Sequence, residues 1–174
     1  MIFNNIIPSI DSDKISSEIG GELFPWIWNG FTVEETENSN NFQFTHRLFG
    51  NNIVTSEYFY MLLPILTSFE QRYGSNIKNI LRVKANLLTK GVYTDEDLSK
   101  SIHIDSYDDR HMSLIYYVID SDGDTVILDD CGVICESVSP IKSNLCWFKS
   151  TTKHRATPPK LNKRRIVINF VVEV

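Results

Sequence analysis

The C-terminal stretch RRIVINFVVEV, residues 164–174, constrains the fold more than any other segment. Successive side chains of a strand project to opposite faces, so Arg165, Val167, Asn169 and Val171 share one face while Ile166, Ile168, Phe170 and Val172 share the other. Both faces are largely apolar. A strand of this kind has to be covered on both sides, which predicts a position between a β-interior and a second layer. Ahead of it, after Gly74, runs a series of short β-rich segments separated by turns: ILRVKANLL, SIHID, MSLIYYVI, DTVILDD, VICESV and LCWF. That texture predicts a sandwich or jelly roll rather than a parallel α/β sheet.

Helical signals precede the strands. Residues 10–24 carry Ser and Asp capping signals followed by a double glycine, predicting a short helix and its stop. A polar loop over Glu35–Asn41 leads into FQFTHRLF, a predicted strand. Ser56–Tyr73 is predicted as a helix that starts at a Ser cap, kinks at Pro64 and ends before Gly74. The expected architecture is therefore mainly β within an α+β arrangement, with N-terminal helices packed on one sheet. With 174 residues, 42% of them hydrophobic, the chain is expected to form one domain over 1–174. Residues 1–75 would form a helical support region with an early strand, and 76–174 the β-core carrying the site.

The formal net charge of −5 argues against general nucleic-acid binding, which needs a basic surface. The charges are nonetheless segregated. Seven basic residues fall between Lys149 and Arg165, whereas Asp105–Glu136 is rich in aspartate. Such runs are ordinarily solvated loops. Cys131, Cys135 and Cys146 are odd in number and lack C-x-x-C spacing, so neither a disulfide framework nor a structural zinc site is expected. No signal peptide is evident in MIFNNIIPSIDSD, and the apolar run Tyr58–Leu66 is too short to span a bilayer. A cytoplasmic protein without membrane association is the expectation, with its oligomeric state open.

His103 and Asp105 are separated by one residue, so on a strand both would project from one face and reach a single ion. Imidazole plus carboxylate suits Fe(II), and a second imidazole would complete a two-His-one-carboxylate facial triad. His154 is the natural third ligand. Asp120, Asp122, Gly123 and Asp124 do not fit a calcium loop and read as a hairpin turn. His111 and His46 lack spacing that would bring them to the site.

H-x-D, then His154, then Arg165 opening a hydrophobic strand, resembles the Fe(II)/2-oxoglutarate-dependent dioxygenases, and the chain looks most like their compact prolyl-4-hydroxylase-like members, including phage-encoded versions. RVKANLL, LIYYVID, GDTVI, KHRATPP and RRIVINF resemble family elements in family order over roughly residues 42–174. The resemblance implies a double-stranded β-helix (jelly roll), with Fe(II) held by His103, Asp105 and His154. It implies 2-oxoglutarate as co-substrate with its 5-carboxylate on Arg165, helped by the Tyr117 hydroxyl and Asn86, together with O2 and the option of ascorbate. Arg165 is preferred to Arg164, which should point to the opposite side. The implied reaction hydroxylates a C–H bond of a peptidyl, prolyl-like side chain or a small molecule, releasing succinate and CO2. Two alternatives stay open: an AlkB-like nucleobase dealkylase, disfavoured because Val167 and Val171 stand where that branch has R-x-N-x-x-x-R, and a non-catalytic jelly-roll binding module.

Overall fold

The computed structural model describes residues 1–30 and 42–174; the loop expected over Glu35–Asn41 lies outside the described residues. In chain order the elements are β1 (Ile2–Phe3), α1 (Ser9–Ile19), β2 (Ile27–Asn29), β3 (Gln43–Gly50), β4 (Ile53–Val54) and a 3₁₀ turn (Glu57–Leu62). They continue with α2 (Leu63–Tyr73), β5 (Asn79–Thr89), α3 (Asp95–Lys100), β6 (His111–Tyr117) and β7 (Thr125–Leu128). The chain closes with β8 (Ile134–Val138), β9 (Leu145–Lys149), β10 (His154–Ala156) and β11 (Arg164–Glu173).

A large antiparallel sheet in the order β1-β9-β6-β11-β5-β3-β2, with β4 paired to β3, faces a small sheet in the order β10-β7-β8. The two form a jelly roll, as expected. β11 is central to the large sheet, paired to β5 on one side and β6 on the other. Its outward residues Ile166, Ile168, Phe170 and Val172 join Val83, Ala85 and Leu87 of β5, Leu114 and Tyr116 of β6, and the helices in one apolar core. From the helices come Ile15 and Ile19 of α1 and Ile65, Leu66 and Phe69 of α2. On the inward side Val167 packs with Ile115, Tyr117, Cys146, Phe148 and Val138, closing the barrel from the small sheet. Each buried aliphatic or Phe side chain contributes about 1.5–3 kcal/mol, so two-sided burial fixes β11 firmly.

The helical segment after Ser56 differs from a single kinked helix. Pro64 occupies the first turn of α2, where its missing N–H costs no bond, and the residues before it wind as a 3₁₀ turn instead. Ser56 is extended and makes no side-chain capping bond. Gly74 ends α2 with φ of 80°, a left-handed conformation that glycine adopts without strain. SIHID forms no strand; it contributes one isolated bridge, at His103. α3, which was not expected, begins at a capping box: Thr94 accepts from the Asp97 N–H, and the Asp97 carboxylate accepts from the Thr94 N–H. Among the described residues no helix is long and apolar enough to cross a membrane.

Phe69 is fully buried and meets Phe3, Tyr73 and Trp147 at ring centroid distances of 6.1, 5.0 and 6.2 Å, joining α2 to the outer strands. Phe69→Ala is expected to cost about 3–5 kcal/mol. Urea unfolding measures this, and a loss below about 1 kcal/mol would show that α2 is not anchored through this ring.

Candidate metal centre

Two chain segments that are distant in sequence build the centre through backbone pairing. The His103 N–H donates to the His154 carbonyl at 3.0 Å, and the His154 N–H donates back to His103 at 2.9 Å. Residues exchanging bonds in this way lie directly opposite one another with side chains on the same side, and the two imidazole centroids are 4.3 Å apart. Two residues on, the Asp105 N–H donates to the Ser150 carbonyl. The result places one ligand atom from each of His103, Asp105 and His154 within 4.8 Å of one another.

The donor set suits a divalent ion. His103 Nδ1 lies 2.9 Å from the Ser101 carbonyl and His154 Nδ1 lies 3.0 Å from the Thr152 carbonyl. A carbonyl can only accept, so each Nδ1 carries the hydrogen and each Nε2 keeps a free lone pair. Burial, and then the neighbouring His103, pull the His154 pKa down to about 4, which keeps this imidazole neutral. For Asp105, burial favours the protonated form, but its charged and hydrogen-bonding neighbours, Arg82 and the Ser113 hydroxyl among them, outweigh it and hold the carboxyl below the usual carboxylate range. Ser113 Oγ donates to Asp105 Oδ2 at 2.7 Å, Arg82 donates to Oδ1 at 2.5 Å, and the Asn169 amide reaches both oxygens at 3.2–3.3 Å. Two imidazoles and one anchored carboxylate match the facial-triad donor set.

Arg165 lies in the same cavity, of about 230 Å³, as His103 and Asp105. Four residues along β11 separate it from Asn169, about 13 Å of strand. It is 3% exposed and forms no ion pair among the described residues, while Arg164 is exposed. Its Nε donates to the Gly123 carbonyl and its Nη2 to Thr125 Oγ1, both at 2.6 Å. Burial pushes the guanidinium down from its ordinary value, although arginine remains charged. A buried cation held by two neutral acceptors, with one amino group uncommitted, is suited to an anion.

Asn86 lines the cavity, and its Oδ1 is buried without a hydrogen-bond partner. Tyr117 lies behind Thr125 and does not line the cavity; its hydroxyl donates to Thr125 Oγ1 at 2.9 Å. His111 pairs with Ser106 at 2.7 Å, and His46 Nδ1 lies 2.9 Å from the Pro25 carbonyl, so neither joins the triad. The 120–124 turn does more than reverse the chain. Asp122 accepts from the N–H groups of Lys160, Leu161 and Asn162, and Gly123 offers the carbonyl that holds Arg165. Sequence reasoning also passed over Arg82, Lys84, Ser113 and Thr125. Alternation along RVKANLL, which puts Arg82, Lys84 and Asn86 on one face, was the available signal for the first two.

The depressed His154 pKa has a definite sign in stability. An unfolded histidine titrates near 6.5 and the folded one near 4, so stability is full above about pH 6.5 and is lost as the pH falls towards 4, by on the order of 3 kcal/mol. Urea unfolding of the metal-free protein should show this slope, and His154→Gln should flatten it. Identical slopes in the two proteins would refute a buried neutral imidazole.

No protein-family model matches the chain, and no curated protein matches it by sequence. Solved structures do match. A prolyl-4-hydroxylase from Pseudomonas putida superimposes over 100% of this chain and 92% of its own, with TM-score 0.64 and 15% identity. The viral collagen prolyl hydroxylase of Paramecium bursaria Chlorella virus-1, solved with 2-oxoglutarate, covers 100% of this chain and 96% of its own at TM-score 0.58 and 16% identity. HygX from Streptomyces hygroscopicus, solved with nickel and 2-oxoglutarate, covers 99% and 82% at TM-score 0.62 and 12% identity. The chain has the jelly-roll fold of the 2-oxoglutarate/Fe(II) oxygenases.

Proposed function

We propose that the chain is an Fe(II)- and 2-oxoglutarate-dependent dioxygenase, a compact prolyl-4-hydroxylase-like member of that superfamily. The observation carrying this reading is a two-His-one-carboxylate cluster whose His103 and Asp105 line one small cavity with the buried, uncompensated Arg165, while His154 lines an adjoining pocket that His103 and Arg165 share. His103, Asp105 and His154 would hold Fe(II), and Arg165 would receive the 5-carboxylate of 2-oxoglutarate. When bound, the iron and its co-substrates supply C–H hydroxylation, in which R–H, 2-oxoglutarate and O2 become R–OH, succinate and CO2. Ascorbate would serve as an accessory reductant.

The protein's own part is positional. The Ser101 and Thr152 carbonyls fix both imidazole tautomers, while Ser113, Asn169 and Arg82 fix the carboxylate. Thr125 and Gly123 aim the guanidinium, and Tyr117 supports it through Thr125. Asn86 offers an unsatisfied acceptor to the cavity. The substrate class is a peptidyl, prolyl-like side chain or a small molecule. An AlkB-like role lacks support on β11, where Val167 and Val171 are buried apolar residues. Free thiols at the exposed Cys131 and Cys135 fit a reducing, cytoplasmic setting.

Anaerobic addition of Fe(II) and then 2-oxoglutarate, followed by visible charge-transfer absorption, tests the assignment. The wild type should develop a band that His103→Ala lacks; no band in either would leave a binding module as the reading. Arg165→Ala should raise the 2-oxoglutarate requirement by about 10- to 100-fold through loss of a charge-assisted pair. Gly123→Ala should act in the same direction without loss of metal. Its new Cβ would lie 2.5 Å from the Thr157 carbonyl oxygen and 3.1 Å from Arg165 Cδ, displacing the guanidinium. Equal 2-oxoglutarate affinity in Gly123→Ala and wild type would remove the turn from the site.

A further inference from the structure

The metal end of the cavity carries more positive charge than the proposed cofactors balance. Across the β5–β11 ladder, Arg165 pairs with Leu88, Val167 with Asn86, Asn169 with Lys84 and Val171 with Arg82. Paired residues share a face, so Lys84 stands level with Asn169, which contacts the Asp105 carboxylate, and Arg82 stands one step beyond. Both are therefore at the opposite end from Arg165. A 2-oxoglutarate molecule reaching from Arg165 to the metal has no carboxylate left for them.

Charge bookkeeping points the same way. The two carboxylates of 2-oxoglutarate and the one of Asp105 balance a divalent ion and Arg165, leaving Arg82 and Lys84 in excess. Among the described residues Asp105 is the single acid lining the cavity, and Lys84 makes no hydrogen bond or ion pair with them. Arg82 spends one amino group on Asp105 and leaves its buried Nε–H without an acceptor. An enclosed N–H without an acceptor, and a half-buried cation without a counter-charge, are both costly unless an anion meets them.

Resting on the dioxygenase reading, we propose that Lys84, with Arg82 beside it, forms a subsite for a carboxylate of the primary substrate, which is accordingly a small carboxylic acid such as a free amino acid rather than a neutral peptidyl side chain. The cavity volume of about 230 Å³ lies below the range usual for drug-sized ligands, which favours a small acid over a bulky substrate. Lys84 is the specificity determinant, since Arg82 is already engaged with a metal-ligating carboxylate.

The test uses protein loaded with Zn(II), which cannot turn over, and saturated with 2-oxoglutarate. Acetate, the minimal carboxylate probe, is titrated while the Lys84 side-chain NMR signals are followed, with acetamide as its neutral counterpart. A saturable shift with acetate and none with acetamide is expected. Lys84→Met should weaken acetate binding at least 10-fold and Lys84→Arg should restore most of it, while Zn(II) and 2-oxoglutarate affinities stay within 2-fold of wild type. In a panel of free L-amino acids, acids should then outcompete acetate where their carboxamides do not. No saturable acetate shift, equal response to acetamide, or unchanged acetate binding in Lys84→Met overturns the subsite. Weakened 2-oxoglutarate binding in Lys84→Met assigns the ammonium to the co-substrate and overturns it as well. Wild-type protein that fails to hold Zn(II) and 2-oxoglutarate sinks the dioxygenase reading, a separate outcome from all of these.

Discussion

Two-sided burial of β11 is the constraint on which the rest of the molecule depends. Its backbone is paired on both edges, by β5 and β6, and its outward side chains form the floor on which α1 and α2 rest. With the outward face committed to apolar packing, the inward face is where Arg165 and Asn169 have to point. The same registers carry Asn86, Lys84 and Arg82 from β5 and Tyr117 and Ser113 from β6 into the barrel. A slip of one residue would exchange polar and apolar faces and expose the core, so the site geometry inherits its accuracy from hydrophobic register.

Within that frame the metal centre is organised by hydrogen bonds that leave little freedom. The histidines face each other because their backbones exchange bonds, and their tautomers follow from carbonyls two residues back in each segment. The carboxylate between them is anchored by a hydroxyl, an amide and a guanidinium. Low local dielectric strengthens each of these contacts and penalises any ligand that loses its partner. The far end of the cavity works on the same principle, since a surface-exposed arginine would interact with water rather than wait for an anion.

Loops supply what strands cannot. The turn at Gly123 approaches Thr157, Pro159 and Arg165 so closely that a side chain there has no room, and Asp122 ties the 160–162 segment to that turn through three backbone donors. The guanidinium is thus aimed by a turn more than forty residues away in sequence. Read as a local pattern, those aspartates signal only a reversal of the chain.

The sequence by itself determined what local rules encode. Period-two alternation in RRIVINFVVEV placed Arg165 and Arg164 on opposite faces, and the T-x-x-D motif at Thr94 was enough to start α3 even though it went unread. The residue types His103, Asp105 and His154 are legible because metal chemistry restricts which side chains can serve. Tertiary structure decided the rest. SIHID became a single bridge because only His103 pairs with His154, while the Asp105 N–H goes instead to the Ser150 carbonyl. Tyr117 turned towards Thr125 because that hydroxyl is the acceptor buried beside it. Lys84 and Arg82 met the metal end of the cavity through the β5–β11 register, which depends on burying the two faces of β11 at once. Periodicity tells which face a residue is on; only pairing between distant strands tells what stands opposite it.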